Sequence, residues 1–379
     1  MGNLKLHIVA FDVPDPPDYG GAIDVFYKVK NLAEVGVDIY LHCPQYGERY
    51  RSENLEQLCK RVFYYERNTG LKGVSASLPY MVYSRKHPDM LRNLQNIDAP
   101  IFFDGVSTSY YLSHPSLKDR LKILRPQNVE QDYYRLLGIR EEGIARKIYY
   151  YTEARLLRNY ENRLQSADAF FTVALHDHDF FKAKYPKVVH EYIPSFQPYN
   201  KVESKAGKGD FCIYHGNLAI AENKEIALYL LKEIIPHIKT RFVIAGRNPG
   251  EEILALAAQY AHCSIIPNPS MKEMDDLVAN AQVHVIPTFQ NTGLKLKLLH
   301  ALFRGRHVLV NNEMIHGTGL SGVCQIANGA KEMIKKIGEL AGMEFDDNDI
   351  RGRERLLQQH YSNKRNAERI ITFLQQRSL

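Results

Sequence analysis

Short, almost continuous apolar runs alternate along the chain with longer stretches whose apolar positions recur every three or four residues. Leu4 to Phe11, Val37 to Cys43, Val62 to Tyr65, Ile101 to Phe103, Leu121 to Leu124 and Ala169 to Val173 read as strands. Segments such as Gly21 to Val35, amphipathic and lying between strands, read as helices. Strands this short and this apolar, separated by helices, predict a parallel sheet covered on both faces. Arg140 to Ser166 reads as one long helix carrying Ile144, Ile148, Ala154, Leu157 and Leu164.

The texture changes at Tyr192 to Gly209, where Pro194, Pro198, Gly207, Gly209 and several lysines have the composition of an exposed linker. Beyond it the alternation restarts. Phe211 to His215, Arg241 to Ala245, Ser264 to Pro267, Val283 to Pro287 and His307 to Val310 read as strands. Asn223 to Ile234, Glu251 to Tyr260, Lys272 to Ala279 and Gly293 to Phe303 read as helices. The prediction is an α/β protein of two Rossmann-like doubly wound domains, residues 1–198 and 199–349, followed by a terminal helical stretch, 350–379. Leu356, Leu357, Ile370, Ile371 and Leu374 form the apolar side of that stretch.

Composition agrees with two ordinary soluble domains: 379 residues, 45% hydrophobic and 24% charged. The net charge of +6, from 49 basic against 43 acidic residues, is too small and scattered for a nucleic-acid binder. Cys43, Cys59, Cys212, Cys263 and Cys324 are odd in number and widely separated, which fits neither a disulfide framework nor a paired zinc site and implies a reducing compartment. Met1 to Val13 has the pattern of a buried strand and not of a signal peptide, and Leu6 stands where a myristoylation motif needs Ser or Thr. No window approaches the roughly 18 apolar residues of a spanning helix. The expected location is cytoplasmic, either free or at the inner face of a membrane.

Three stretches carry candidate chemistry, all at predicted strand ends. Asp18-Tyr19-Gly20-Gly21-Ala22 joins the first strand to a helix; two glycines there serve either a tight turn or the close approach of backbone N–H groups to an anion. In Pro287 to Leu302 an apolar strand ends, a polar loop with Gly293 and Leu294 follows, and Lys295 and Lys297 stand in the first turns of an apolar helix. Cations at a helix N-terminus oppose the macrodipole, so a pair of them points to a bound anion such as a diphosphate, the alternative being that both snorkel to solvent from an ordinary helix. Gly216, Asn217 and Arg247 end two further strands, where open α/β sheets bind ligands; Arg247 is either a phosphate contact or an exposed loop arginine, and Asn223 is an N-cap candidate.

These residues resemble a known family, the retaining GT-B glycosyltransferases of family 4-like (group 1) type that includes many bacterial polysaccharide enzymes. The likeness covers the whole chain and rests on Gly20-Gly21, Tyr214 to Asn223, Ala245-Gly246, and Thr292 to Ala301 followed by Gly305, Val308 and Val310. It implies a GT-B fold with two domains facing across a cleft, the acceptor on the first, the donor on the second, and the terminal helix packed back on the first. It also implies that Lys295 and Lys297 bind the donor diphosphate, with Gly20, Gly21, Gly216, Asn217, Arg247, Gly293, Leu294 and His300 completing the donor site. Neither metal nor other cofactor is expected. His300 stands where many members carry a ribose-binding glutamate, Gln127 where a histidine is usual, and the loop Asp104 to Thr108, with Ser107, lacks the histidine often presented to the donor sugar. Glu130, in the segment Arg125 to Glu130, is either a ligand of acceptor or sugar hydroxyls, counted here with the two lysines as catalytic, or a capping carboxylate.

His176-Asp177-His178-Asp179 holds metal-type ligands, but neighbours on a helix diverge, and a helix start fits better. Tyr133 to Arg158 interleaves tyrosines with Arg135, Arg140, Arg146, Lys147, Arg155 and Arg158, which fits either a solvated helix face or a contact with an anionic membrane. The predicted activity is hexose transfer from a nucleoside-diphosphate sugar to a saccharide or lipid-linked saccharide hydroxyl, with retention. The alternatives are a non-catalytic protein that binds a nucleotide sugar or a partner, and, behind it, a nucleotide-sugar epimerase, for which no pair of carboxylates stands out.

Overall fold

The computed structural model describes residues 3–289 and 296–377. These fall into two compact units, 3–198 with 362–377, and 199–289 with 296–361. The first is built on a seven-stranded, wholly parallel sheet in the order β3-β2-β1-β4-β5-β6-β7. Its strands are β1 (Lys5–Val9), β2 (Asp38–Gln45), β3 (Arg61–Glu66), β4 (Ile101–Phe103), β5 (Lys122–Leu124), β6 (Ala169–Thr172) and β7 (Val189–Tyr192). The order reverses between β1 and β4, the doubly wound signature.

Successive residues of each strand point to opposite faces, so every central strand feeds two cores. Leu6, Ile8, Ile39, Leu41, Phe102 and Phe171 pack on one face, with the helix Gly20–Glu34 and, from the far end of the sequence, Ala367, Ile370 and Leu374 of the helix Asn363–Arg377. Val9, Ile101, Phe103, Leu124 and Phe170 pack on the other, with Leu157 and Tyr160 of the helix Ile144–Tyr160. Two-sided burial is why these strands are apolar runs with no alternation.

The second unit repeats the plan with six parallel strands in the order β10-β9-β8-β11-β12-β13: β8 (Phe211–Asn217), β9 (Arg241–Arg247), β10 (Cys263–Pro267), β11 (Val283–Val285), β12 (His307–Val310) and β13 (Gln325–Ile326). Tyr214, Phe242, Ile244, Val285 and Leu309 line one core, and Phe211, Ile213, Val243 and Ala245 the opposite face.

Three differences from the sequence-based expectation have local causes. The predicted helix Arg140 to Ser166 is the α-helix Ile144–Tyr160 ending in a 3-10 turn, Glu161–Ser166, and a separate helix, Glu130–Arg140, precedes it. The terminal stretch is two helices, Asp347–Tyr361 in the second unit and Asn363–Arg377 in the first. At the break, the Asn363 side chain accepts a hydrogen bond from the Gln197 N–H and donates one to its carbonyl, fixing the chain where it changes unit. The edge strands β7 and β13 were absent from the prediction.

Two clusters of buried polar groups in the first unit are held together by pairing among their members. Arg125, fully buried after β5, donates from Nε and Nη2 to both carboxylate oxygens of Asp24, each at 2.9 Å, and from Nη1 to the carbonyl of Ile193. Lys28 bridges Asp24 and Asp104. Burial alone would raise the Asp24 carboxyl; Arg125 and Lys28 outweigh it and hold it at about 2. A second chain runs through His7, His42 and Tyr65: His7 Nδ1 meets His42 Nε2 at 2.8 Å, and His42 Nδ1 meets the Tyr65 hydroxyl at 2.7 Å. Burial pushes the His7 imidazole down to about 4 and His42 well below its ordinary range, so both are neutral rings.

Candidate functional site

The carboxyl edge of the second unit's sheet gathers most of the predicted donor residues. β8 and β9 run in register to their last residues, so Gly216 lies beside Gly246 and Asn217 beside Arg247. The strands close so tightly that a Cβ on Gly246 would stand 1.8 Å from the Gly216 carbonyl oxygen, which only glycine avoids. Leu218 N–H then donates to the Arg247 carbonyl, turning the chain toward the helix Ala221–Tyr229.

That helix is capped at Ile220, not at Asn223 as the sequence suggested, because it begins two residues earlier than predicted. Asn223 lies in its first turn with a different task. Its side-chain nitrogen donates to the Asn217 carbonyl at 2.9 Å, and its side-chain oxygen accepts from Lys297 Nζ. Lys297, in the first turn of the apolar helix Leu296–Arg304, also lies with Nζ 5.4 Å from the Tyr214 ring centroid. One amide thus ties the lysine to the end of β8. Neighbouring polar groups are tied in as well: Thr288 donates to Glu222, and its own N–H donates to Asn311.

His300, one turn after Lys297, stacks on Tyr199 at 5.5 Å between centroids and meets an Asp275 carboxylate oxygen with Nε2 at 3.0 Å. That hydrogen bond, more than the nearby Arg304 charge, holds the Asp275 carboxyl below its ordinary range. The chain therefore places a carboxylate beside the histidine from another helix, Met271–Asn280, a pairing invisible in sequence. His215 packs edge-on to His300 at 5.3 Å; it is buried with neither ring nitrogen hydrogen-bonded, and burial, with His300 and His284 next, forces it well below its usual range.

Lys297, Gly216, Asn217, Arg247 and His300 are accordingly brought to one end of one sheet. Lys295, Gly293 and Leu294 lie outside the described residues. Gly20, Gly21 and Glu130 belong to the first unit, at the carboxyl edge of its own sheet: Gly20 and Gly21 open the helix Gly20–Glu34, and Glu130 opens Glu130–Arg140. Gln127 lies against Gly21, its side-chain oxygen 3.3 Å from where a Gly21 Cβ would stand. Burial, and Asp177 next, push the Glu130 carboxyl up to about 7, against the pull of Arg85. Ser107 is buried in the turn Val106–Tyr111. Sequence reasoning passed over Arg85, Asn223 as a lysine holder, and Asp275; each owes its place to tertiary contact.

The stretch His176 to Asp179 lies in the helix Leu175–Lys184, where Asp177 is buried and His178 meets the Thr172 hydroxyl. Among the described residues no group of three or more His, Cys, Asp or Glu side chains is arranged to hold a metal ion, and no helix is long and apolar enough to cross a membrane.

No model of a known protein family matches the chain. A 44.6 kDa protein of the cps region of Klebsiella pneumoniae is 24% identical over 367 residues, covering 90% of this chain and 92% of that one. Among solved structures, the sucrose-phosphate synthase of Thermosynechococcus elongatus superposes with a TM-score of 0.69 at 12% identity, covering 99% of both chains. A glycosyltransferase of Rickettsia africae gives 0.64 at 11% identity, again over 99% of both. The chain has the GT-B fold. A more distant GT-B protein of Arabidopsis thaliana, solved with UDP-L-rhamnose, gives 0.54 at 10% identity over 99% of this chain and 100% of that one. The two sheets, of seven and six parallel strands, are those of this glycosyltransferase-like fold.

Proposed function

We propose that the chain is a glycosyltransferase moving a hexose from a nucleoside-diphosphate sugar to the hydroxyl of a saccharide or lipid-linked saccharide, with retention of anomeric configuration. The donor binds the second unit and the acceptor the first. The observation that carries this is the placement of Lys297, held by Asn223 to the end of β8, beside Gly216, Asn217 and Arg247 at the carboxyl edge of a Rossmann-like sheet. A cation fixed there, at a helix N-terminus, suits a diphosphate. The GT-B neighbours, one of them solved with UDP-L-rhamnose, and the cps-region relative support the donor class and a polysaccharide context.

In this reading the acceptor oxygen bonds to the anomeric carbon as the bond from that carbon to the diphosphate oxygen breaks, and the acceptor's proton passes to the departing diphosphate. Lys297, with Lys295, stabilises the charge that grows on the leaving group. Glu130 binds acceptor or sugar hydroxyls, and His300 with Asp275 offers the nucleotide ribose a hydrogen-bonding pair. A lipid-linked acceptor is supported by the helix pair Glu130–Arg140 and Ile144–Tyr160. There Ile139, Ile144 and Ile148 are 54%, 78% and 62% exposed among the arginines, as a peripheral contact with an anionic membrane requires.

The test is turnover of a panel of nucleoside-diphosphate sugars, with and without saccharide acceptors. Turnover of one donor, abolished in Lys297→Ala, is expected. Binding of a donor without turnover for every acceptor favours the second reading, a non-catalytic nucleotide-sugar-binding or partner-binding protein. That reading draws on Ser107 and Gln127, which stand in the first unit without the histidines of related enzymes.

A further inference from the structure

The helix Leu296–Arg304 carries Lys297 and His300 at its front and is held laterally by apolar packing: Leu298, Leu299, Ala301 and Leu302 are buried among Val308, Val310, Met314, Leu357 and Tyr361. Apolar burial is non-directional, so the hydrogen bonds at the two ends supply the directional restraint. With nine residues the helix is only about 13 Å long, and what moves its rear moves its front. At the rear, carbonyls that a helix end leaves without regular partners are taken up one by one. Ala301 accepts from the Gly305 N–H at 2.8 Å, Phe303 from the Glu203 N–H at 2.7 Å, and Leu302 from Arg353 Nη1 at 3.2 Å.

Arg353, on the helix Asp347–Tyr361, is fully buried and does more than this one bond. Nη1 also donates to the Gly305 carbonyl at 2.6 Å and meets the Ser204 hydroxyl at 3.1 Å, Nη2 donates to the Arg306 carbonyl, and the guanidinium lies 4.6 Å from the Phe345 ring centroid. Burial lowers its pKa to about 10, so it stays charged at neutral pH. A buried cation bonded to neutral oxygens is a costly way to end a helix. Gly305 does not take the left-handed conformation of a glycine cap; it serves close approach instead, since a Cβ there would stand 2.0 Å from His284 Nε2. The exit turn is therefore pressed against His284 and gripped by the Arg353 fork. Arg306, whose carbonyl Arg353 holds, donates in turn to the carbonyls of Ala279 and Ala281 at the end of the helix Met271–Asn280, which carries Asp275, the partner of His300. One guanidinium thus ties together the rear ends of both helices whose forward residues meet near Asn223.

We propose that Arg353 is a positioning residue of the candidate donor site: its guanidinium fixes the axial position of the helix Leu296–Arg304 and, through it, the seat of Lys297 against Asn223. Arg353 acts through the helix and touches no substrate. The proposal rests on the transferase reading only for what Lys297 binds; that Arg353 places Lys297 is a property of the chain alone.

Two measurements on the full chain test it. The first is lysine acetylation by a water-soluble activated ester, mapped by mass spectrometry, with exposed Lys335 as internal reference. Arg353→Lys keeps the charge and loses the two-armed fork. It is expected to raise labelling of Lys297 relative to Lys335 about threefold or more, as Asn223→Ala does; an unchanged ratio overturns the proposal. Should Arg353→Lys not melt cooperatively, Arg353→Gln carries the same comparison. The second is calorimetric titration of UDP in a double-mutant cycle. Arg353→Lys is expected to weaken UDP binding about fivefold or more in the parent and less than twofold when added to Lys297→Ala. Equal losses in both backgrounds, or unchanged affinity beside a lowered melting temperature, mark a merely structural residue and overturn the proposal. UDP affinity that is independent of Lys297 contradicts the donor reading instead, and the labelling ratio then decides the positioning role by itself.

Discussion

The two units share a plan, but each sets a buried polar cluster of a different kind against its sheet. In the first, Arg125, Asp24, Lys28 and Asp104 form a buried charge network centred on the bidentate Arg125–Asp24 pair, and His7, His42 and Tyr65 a hydrogen-bonded chain. In the second, His215 sits buried at a strand end with both ring nitrogens unbonded, beside His300 and near Lys297. Removing one member of a network whose groups satisfy one another costs heavily, whereas a buried polar group left unsatisfied is already a cost to the fold, so its replacement by an apolar side chain costs little. The Arg125 network and the His7 chain are thus structural, whereas His215 holds nothing together through hydrogen bonds.

The largest effect that distinguishes the units is expected from Arg125→Met. It leaves Asp24 buried without its bidentate partner and should lower unfolding free energy by about 3–5 kcal/mol, read by urea denaturation. A loss below about 1 kcal/mol would mean that the Arg125–Asp24 pair does not anchor the network as described. Acid comes next. His7 is held at about 4 against an ordinary 6.5, so below pH 6.5 the unfolded chain binds a proton that the fold refuses. Its contribution is complete above that pH and is lost as pH falls toward 4, amounting to roughly 3 kcal/mol; His42 adds in the same direction. Denaturation profiles at pH 7 and 4.5 check this, and a flat profile would contradict it. The smallest effect is expected from His215→Leu: because no hydrogen bond is lost, stability should stay within about 1 kcal/mol of the parent, and a loss like that of Arg125→Met would erase the contrast.

Central strands were legible because both their faces are buried, which writes them as apolar runs; β7, with the sequence Val-His-Glu-Tyr, and the two-residue β13 are half-solvated edges that write no such signal. The terminal helices read as one because the apolar period continues through the break at Ser362, and only the Asn363 contacts with Gln197 reveal the change of unit. Candidate donor residues were legible through their positions at strand ends. Arg85 was not, since it follows a four-residue helix with no pattern of its own. Asp275 was not, since its partner His300 lies 25 residues away on another helix.

The central claim is that Lys297, held by Asn223, carries a diphosphate at the second unit's carboxyl edge. Calorimetric titration of UDP into the parent chain, Lys297→Ala and Asn223→Ala tests it most directly. The account predicts a loss of about 10–100-fold in affinity for Lys297→Ala, the worth of a charge-assisted hydrogen bond or two, and a smaller loss for Asn223→Ala. UDP binding to Lys297→Ala as tightly as to the parent would contradict it.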